Sequence, residues 1–180
     1  VCSQMGDHKT IQSIAEFMLP TIAENEGKET ANYYDMLTRY GVCMRDQQHK
    51  DTATKIFEEC VTIAATLYGK QDAEYVSVLN LLGDHYRSIT NFAASEKTLI
   101  EAKQILLKQS SVNPELIAMN YHGMANLRGD MAMFDVAYPL YDTALLILQK
   151  ANMQQDDLYT TIMRSYAYTS VDGDRLLQAR

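Results

Sequence analysis

Gly41, Gly83, Ala125 and Ala167 stand at a constant step of 42 residues, and no other feature restricts the fold of this chain so tightly. Further columns keep the step. Leu37, Leu79, Tyr121 and Met163 precede the small residue by four, and Tyr40, Leu82, Met124 and Tyr166 precede it by one. Twelve residues after it come Ala53, Ser95, Ala137 and Ala179, all small. Phe57, Leu99 and Tyr141 then form a large column, Cys60, Ala102 and Ala144 a small one, and Ile63, Ile105 and Ile147 an aliphatic one. So many ungapped columns define a tandem repeat, in which each unit buries its apolar face only by stacking on its neighbours.

Within each unit the apolar residues recur at three- and four-residue spacings, which predicts amphipathic helices and not strands. First helices are expected at about 31–46, 73–88, 115–129 and 157–170, and second helices at about 50–68, 92–109 and 134–151. The fourth second helix is cut off after Asp174. Breaks fall at Gly69–Asp72, Ser110–Pro114 and Asn152–Asp156. Asn113-Pro114-Glu115 reads as a helix start, with Asn as cap and Pro at the first helical position. The small columns permit close approach of paired helices, with Gly41 facing Ala53 and Gly83 facing Ser95, while the large column fills the space between pairs. The units are thus 30–72, 73–114, 115–156 and a partial 157–180. Residues 1–29 fit less well: they form either a capping helix or the second helix of a partial preceding unit, with Pro20 disturbing its last turn.

Composition narrows the function classes. A net charge of −7 with no basic block leaves no concentrated positive face to neutralise phosphates, which argues against nucleic acid and against an anionic membrane surface. No run of 18 apolar residues spans a bilayer, and no signal segment opens the chain. Cys2, Cys43 and Cys60 are odd in number and lack a metal-ligand spacing, so they read as free thiols of an intracellular, cytoplasmic protein. The chain opens on Val1 and not on methionine, as a piece of a longer protein would.

The columns resemble the tetratricopeptide repeat, and the 42-residue period resembles its kinesin-light-chain subtype. Ala137-Tyr138-Pro139-Leu140-Tyr141 with Ala144-Leu145 and Ile147 is similar to that subtype's second helix. Arg45-Asp46-Gln47 resembles its turn, Leu79-Asn80 with Tyr86-Arg87 its first helix, and Asn113-Pro114-Glu115 its inter-repeat loop. The resemblance covers residues 31–180. Two departures stand out. The usual turn glycine is replaced by Gln48, Thr90, Ala132 and Asp174, and Arg128 takes the place of an aromatic. What the resemblance implies is an all-α, right-handed α-solenoid, a superhelix of antiparallel helix pairs. Its concave wall, made by the first helices, binds extended peptides or partner helices.

By that similarity the wall carries Thr38, Val42 and Arg45; Asn80, Asp84 and Arg87; His122, Asn126 and Gly129; and Arg164 and Tyr168. Most are polar and lie at helical spacing opposite the apolar stripe, so they share a face whether or not they bind anything. Asn80 and Asn126 have the donor and acceptor needed for a peptide backbone, and Arg45, Arg87 and Arg164 suit a carboxylate. The expected partner is therefore an extended peptide carrying an acidic residue. Thr38 and Val42 stand where the Lys-Asn clamp of chaperone-tail-binding repeats would be, which disfavours that ligand.

Nothing in the sequence asks for catalysis, a cofactor or a metal. His8, His49, His85 and His122 have no second ligand at a metal spacing, and His49 and His85 are expected to be exposed. Glu58-Glu59 and Asp156-Asp157 are adjacent pairs that do not face each other on a helix. Tyr34, Tyr40, Tyr75, Tyr121, Tyr141 and Tyr166 mostly fall in core columns, whereas Met131 and Met133 are placed on a turn or convex edge. Three readings follow: an interaction scaffold or adaptor; a sensor array gating an attached effector such as an ATPase; and a homo-oligomer formed through the terminal repeats, where the partial last pair leaves an apolar edge.

Overall fold

The computed structural model describes residues 2–109 and 113–178, with side chains for 8–109 and 113–174, so the side chains of Cys2 and Met5 and all of Ala179 lie outside the described residues. Every described element is helical: α1 (Cys2–Asn25), α2 (Ala31–Asp46), α3 (Lys50–Leu67), α4 (Ala73–Ser88), α5 (Phe92–Leu106), α6 (Pro114–Asp130), α7 (Phe134–Lys150) and α8 (Asp157–Gln178). They fall into two compact units, Val1–Ile89 and Thr90–Arg180.

Local chemistry sets most helix starts. Thr30, Asp72, Asn91 and Asn113 each accept a backbone N–H of the first turn, from Tyr33, Glu74, Ala94 and Glu115 respectively. Pro114 sits in the first turn of α6, where its missing N–H costs nothing. The ends follow a second rule. Gln48, Thr90 and Ala132 all adopt left-handed backbone, with φ of 65°, 62° and 57°. These are the positions of the replaced turn glycine. In two of them the surrounding bonds are those of a Schellman ending: the N–H of His49 donates to the Met44 carbonyl at 2.9 Å, and that of Met133 to the Arg128 carbonyl at 2.9 Å. The turn geometry survives without glycine.

Three expectations about the elements are corrected. Helix α8 runs unbroken through Asp174 to Gln178, so the fourth turn is not made. Pro20 lies inside α1 without ending it. Helix α5 stops at Leu106, three residues short of the expected 109.

In the first unit α1 packs on α2, α2 on α3, and α3 on α4. Pairing of α2 with α3 is antiparallel: Tyr34 near the start of one meets Tyr68 just past the end of the other, ring centroids 5.6 Å apart. The close approach at Gly41 is real, but its partner is one turn beyond Ala53. A Cβ at Gly41 would lie 2.8 Å from Ile56 Cγ2 and 3.0 Å from Phe57 Cε1. Phe57 is fully buried and its ring faces His85 of α4 at 5.4 Å, so the large column does fill the space toward the next helix. In the second unit α6 packs on α5, α7 and α8, and α7 on α8. Its core gathers Ala118, Ala125, Ala137, Tyr141, Ala144 and Leu148, with Tyr121 and Tyr166 packed against it. Tyr141 and Tyr166 stack at 4.9 Å. The alternation of small and large columns is thus visible in the packing of each unit.

Candidate functional site

The residues expected on one wall are brought together within each unit. Arg45 of α2 and Arg87 of α4 stand one repeat step apart, and both reach Asp84: Arg45 Nη1 lies 3.5 Å from Oδ2, and Arg87 donates through Nε at 3.1 Å and Nη2 at 2.9 Å to Oδ1. Equivalent positions of successive first helices are therefore neighbours. Arg45 also donates through Nε to Asp46 at 3.1 Å. All four side chains are partly exposed. The two guanidiniums and two carboxylates balance in charge. Beside them lies a cavity of about 270 Å³, lined by Arg45, Asp46, Gln48, Lys50, Asp84, His85 and Ser88.

His85 is the surprise in this region, because it is fully buried where the sequence pattern implies exposure. Thr54 donates its hydroxyl to the Lys50 carbonyl at 2.9 Å, so the 2.8 Å contact between Thr54 Oγ1 and His85 Nε2 places the proton on Nε2. Burial holds the imidazole below its ordinary pKa, and the nearby Arg45 cation adds to that effect.

In the second unit His122 and Asn126 belong to a continuous polar chain. Tyr141 donates to Asn126 Oδ1 at 2.6 Å and lies 2.9 Å from Thr169 Oγ1, which must then donate to it. Asn126 Nδ2 sits 3.1 Å from His122 Nε2, and Ser165 Oγ lies 2.9 Å from the same nitrogen. An amide nitrogen only donates, so His122 Nε2 is the acceptor of that contact. Helix α8 comes close enough to α6 for this because Gly129 has no side chain; a Cβ there would stand 2.9 Å from Thr169 Cγ2. Tyr141, Ser165 and Thr169 are site residues that the sequence pattern does not reveal. The pattern assigns Tyr141 only to the large packing column, and nothing one-dimensional shows a hydroxyl passing beyond its core.

Four expected positions behave differently. Asn80 is buried on α4 rather than exposed on the wall. Thr38 turns inward, donating to the Tyr34 carbonyl at 2.8 Å with Cys60 Sγ at 3.5 Å. Val42 and Gly129 are half-buried. Arg164 and Tyr168 are exposed on α8. The unusual Arg128 is explained: it pairs with Glu96 of α5. One repeat step earlier, the Tyr86 hydroxyl donates to Glu58 of α3 at 2.7 Å, so a glutamate receives a donor from this column in both units. Among the described residues no three His, Cys, Asp or Glu side chains gather as a metal site would need, and no helix is long and apolar enough to cross a membrane. Cys43 and Cys60 are free and buried, and burial pushes the Cys60 thiol up to about 11.

Helix pairs of this length and period have the fold of kinesin-light-chain-like tetratricopeptide repeats, consistent with an α-solenoid. Solved structures carry the same fold. BtubC (BKLC) from P. vanneervenii matches with a TM-score of 0.73 at 19% identity, over 82% of this chain. This chain spans 59% of the length of BtubC. Two crystal structures of putative kinesin light chain nearly identical TPR-like repeats from Podosopora anserina, one of them a point variant, are also similar. Their TM-scores are 0.70 and 0.69 at 15% identity, over 98% and 96% of this chain and 86% and 82% of theirs. No protein-family model matches the chain, and no curated protein sequence is significantly similar to it.

Proposed function

We propose that this chain is a protein-interaction repeat module that holds an extended peptide along its first helices. The observation that carries the reading is the convergence of Arg45 and Arg87, one repeat step apart, on Asp84 at a partly exposed face. Equivalent polar positions of α2 and α4 thereby form a continuous strip, and the His122–Asn126 chain supplies a second strip on α6 and α8. An arginine has five N–H donors, and Asp84 occupies only some of them. A peptide carboxylate can therefore engage Arg45 or Arg87 bidentately by displacing Asp84. Arg164 offers a further exposed cation on α8. The role needs no catalytic group and no cofactor. The buried free thiols suit a reducing compartment such as the cytoplasm.

The test is selection of peptides from a random display library on the immobilised chain, followed by affinity measurement against Arg45→Ala/Arg87→Ala and Asn126→Ala. Enriched peptides rich in Asp or Glu, weakened about tenfold or more by the double arginine variant, support the reading. Peptides that bind both variants as well as wild type would overturn it and leave the fold untouched.

A further inference from the structure

Lys50 is the residue of the first unit whose place the fold does not account for. It opens α3, the end of a helix at which the macrodipole disfavours a cation. One and two repeat steps along, the same position holds Phe92 and Phe134, and both are half-buried. In the first unit a lysine stands there instead. It is exposed, and its ammonium makes no ion pair among the described residues.

Lys50 lines the cavity of about 270 Å³ together with Arg45, Asp46, Asp84 and His85. Arg45 and Arg87 are already matched by Asp46 and Asp84, which they engage directly. Lys50 is the cation left over, so the cluster is one negative charge short in a chain whose net charge is −7. His85 adds a second need. Its Nδ1 is buried and has no hydrogen-bond partner. With the proton on Nε2 that nitrogen is an acceptor, so this wall also lacks a donor.

From these two needs we infer that the cavity is the anchor point of the bound peptide and takes one Asp or Glu side chain. The carboxylate is held by Lys50 and by the N–H groups of Arg45 that Asp46 and Asp84 leave open. A peptide residue brings its own main-chain N–H beside that carboxylate, which is the kind of group the wall lacks. The inference rests on the peptide-binding reading and adds the residue that selects the anchor. Because Lys50 supplies its own charge, this mode leaves Asp84 bridging the two arginines. The volume agrees, since it lies just under the roughly 300 Å³ at which drug-sized sites begin and suits a single residue. A dianion such as phosphate suits it less, because Asp46 and Asp84 share the wall.

The experiment uses the intact chain and acidic peptides enriched on it by display, each Asp or Glu being replaced in turn by its amide. Calorimetric titration should find one position, the anchor, whose amide weakens binding to the wild type about tenfold, as loss of one charge-assisted hydrogen bond does. In Lys50→Ala the same replacement should change the affinity by less than about twofold, because its partner is already gone. Lys50→Glu should prefer the peptide that carries Lys at the anchor. Lys55→Ala removes an exposed cation of α3 outside the cavity and should leave the anchor effect intact. Helical circular dichroism should be the same for all these variants, since both lysines are exposed. Peptides that need Arg45 and Arg87 yet bind Lys50→Ala as tightly as wild type overturn the anchor and leave the peptide reading standing. Failure to enrich any acidic peptide overturns both. Inorganic phosphate that displaces the peptide from wild type but not from Lys50→Ala overturns the carboxylate assignment.

Discussion

Ala132→Gly should stabilise this protein, although glycine is the poorest non-proline helix residue. Ala132 is exposed, follows α6, and sits at φ 57°. Holding a side chain in left-handed backbone costs about 1–2 kcal/mol, a strain that glycine lacks. Against this, glycine adds about 0.5–1 kcal/mol of unfolded-state freedom. The difference favours the variant by about 0.5–1 kcal/mol. For a chain of this size that corresponds to a rise in Tm of about 1–4 °C. Gln48→Gly, at φ 65° in the other unit, should contribute a similar amount, and the two should add. Urea unfolding followed by circular dichroism measures both. Lys97→Gly, exposed in the interior of α5, is the control with the opposite sign and should cost about 1 kcal/mol. If Ala132→Gly lowered the midpoint as Lys97→Gly does, strain at these turns would not be what their geometry implies.

Gly41→Ala should destabilise by about 1–3 kcal/mol despite its better helix propensity, because the new methyl meets the β-branch of Ile56 and the ring of Phe57; thermal unfolding checks it. Tyr141→Phe should cost about 1–3 kcal/mol, since Asn126 Oδ1 and Thr169 both lose their partner; chemical denaturation reads this. His85 gives a pH signature. Its folded pKa lies below the ordinary 6.5, so above that value both states are neutral and the group contributes nothing to the pH dependence. As pH falls through about 6.5 the unfolded chain binds a proton that the folded chain resists, and stability is lost. His85→Gln should make the loss of stability between about pH 7.5 and 5.5 shallower, as urea midpoints at several pH values will show.

The fold was legible because packing leaves a periodic trace. Helix pairs that nest at one stride must repeat their small and large residues at that stride, and the columns through Gly41 and Phe57 do so. Turns were legible by position but not by chemistry: Gln48 and Ala132 keep the left-handed backbone without glycine, since the Schellman bonds around them hold it. The wall was legible only in part. Column membership predicts which face a residue shares, as with Arg45 and Arg87, but not how deep the side chain sits. Asn80 shares its column with exposed Arg164 and is nevertheless buried. His85 followed the same logic, in the column of buried Cys43, a cue that its chemical type obscured. The departures at Arg128 and at Asp174 required contacts to interpret: one residue has found Glu96, and the other continues a helix.

The central claim is that the first helices present the binding strip. Amide and side-chain NMR shifts of the labelled chain, titrated with a display-selected acidic peptide, test it most directly. Perturbations should concentrate on α2, α4, α6 and α8, including the Arg45 and Arg87 Nε–H and the Asn126 side-chain amide. Shifts confined to α3, α5 and α7, with those groups unmoved, would contradict it.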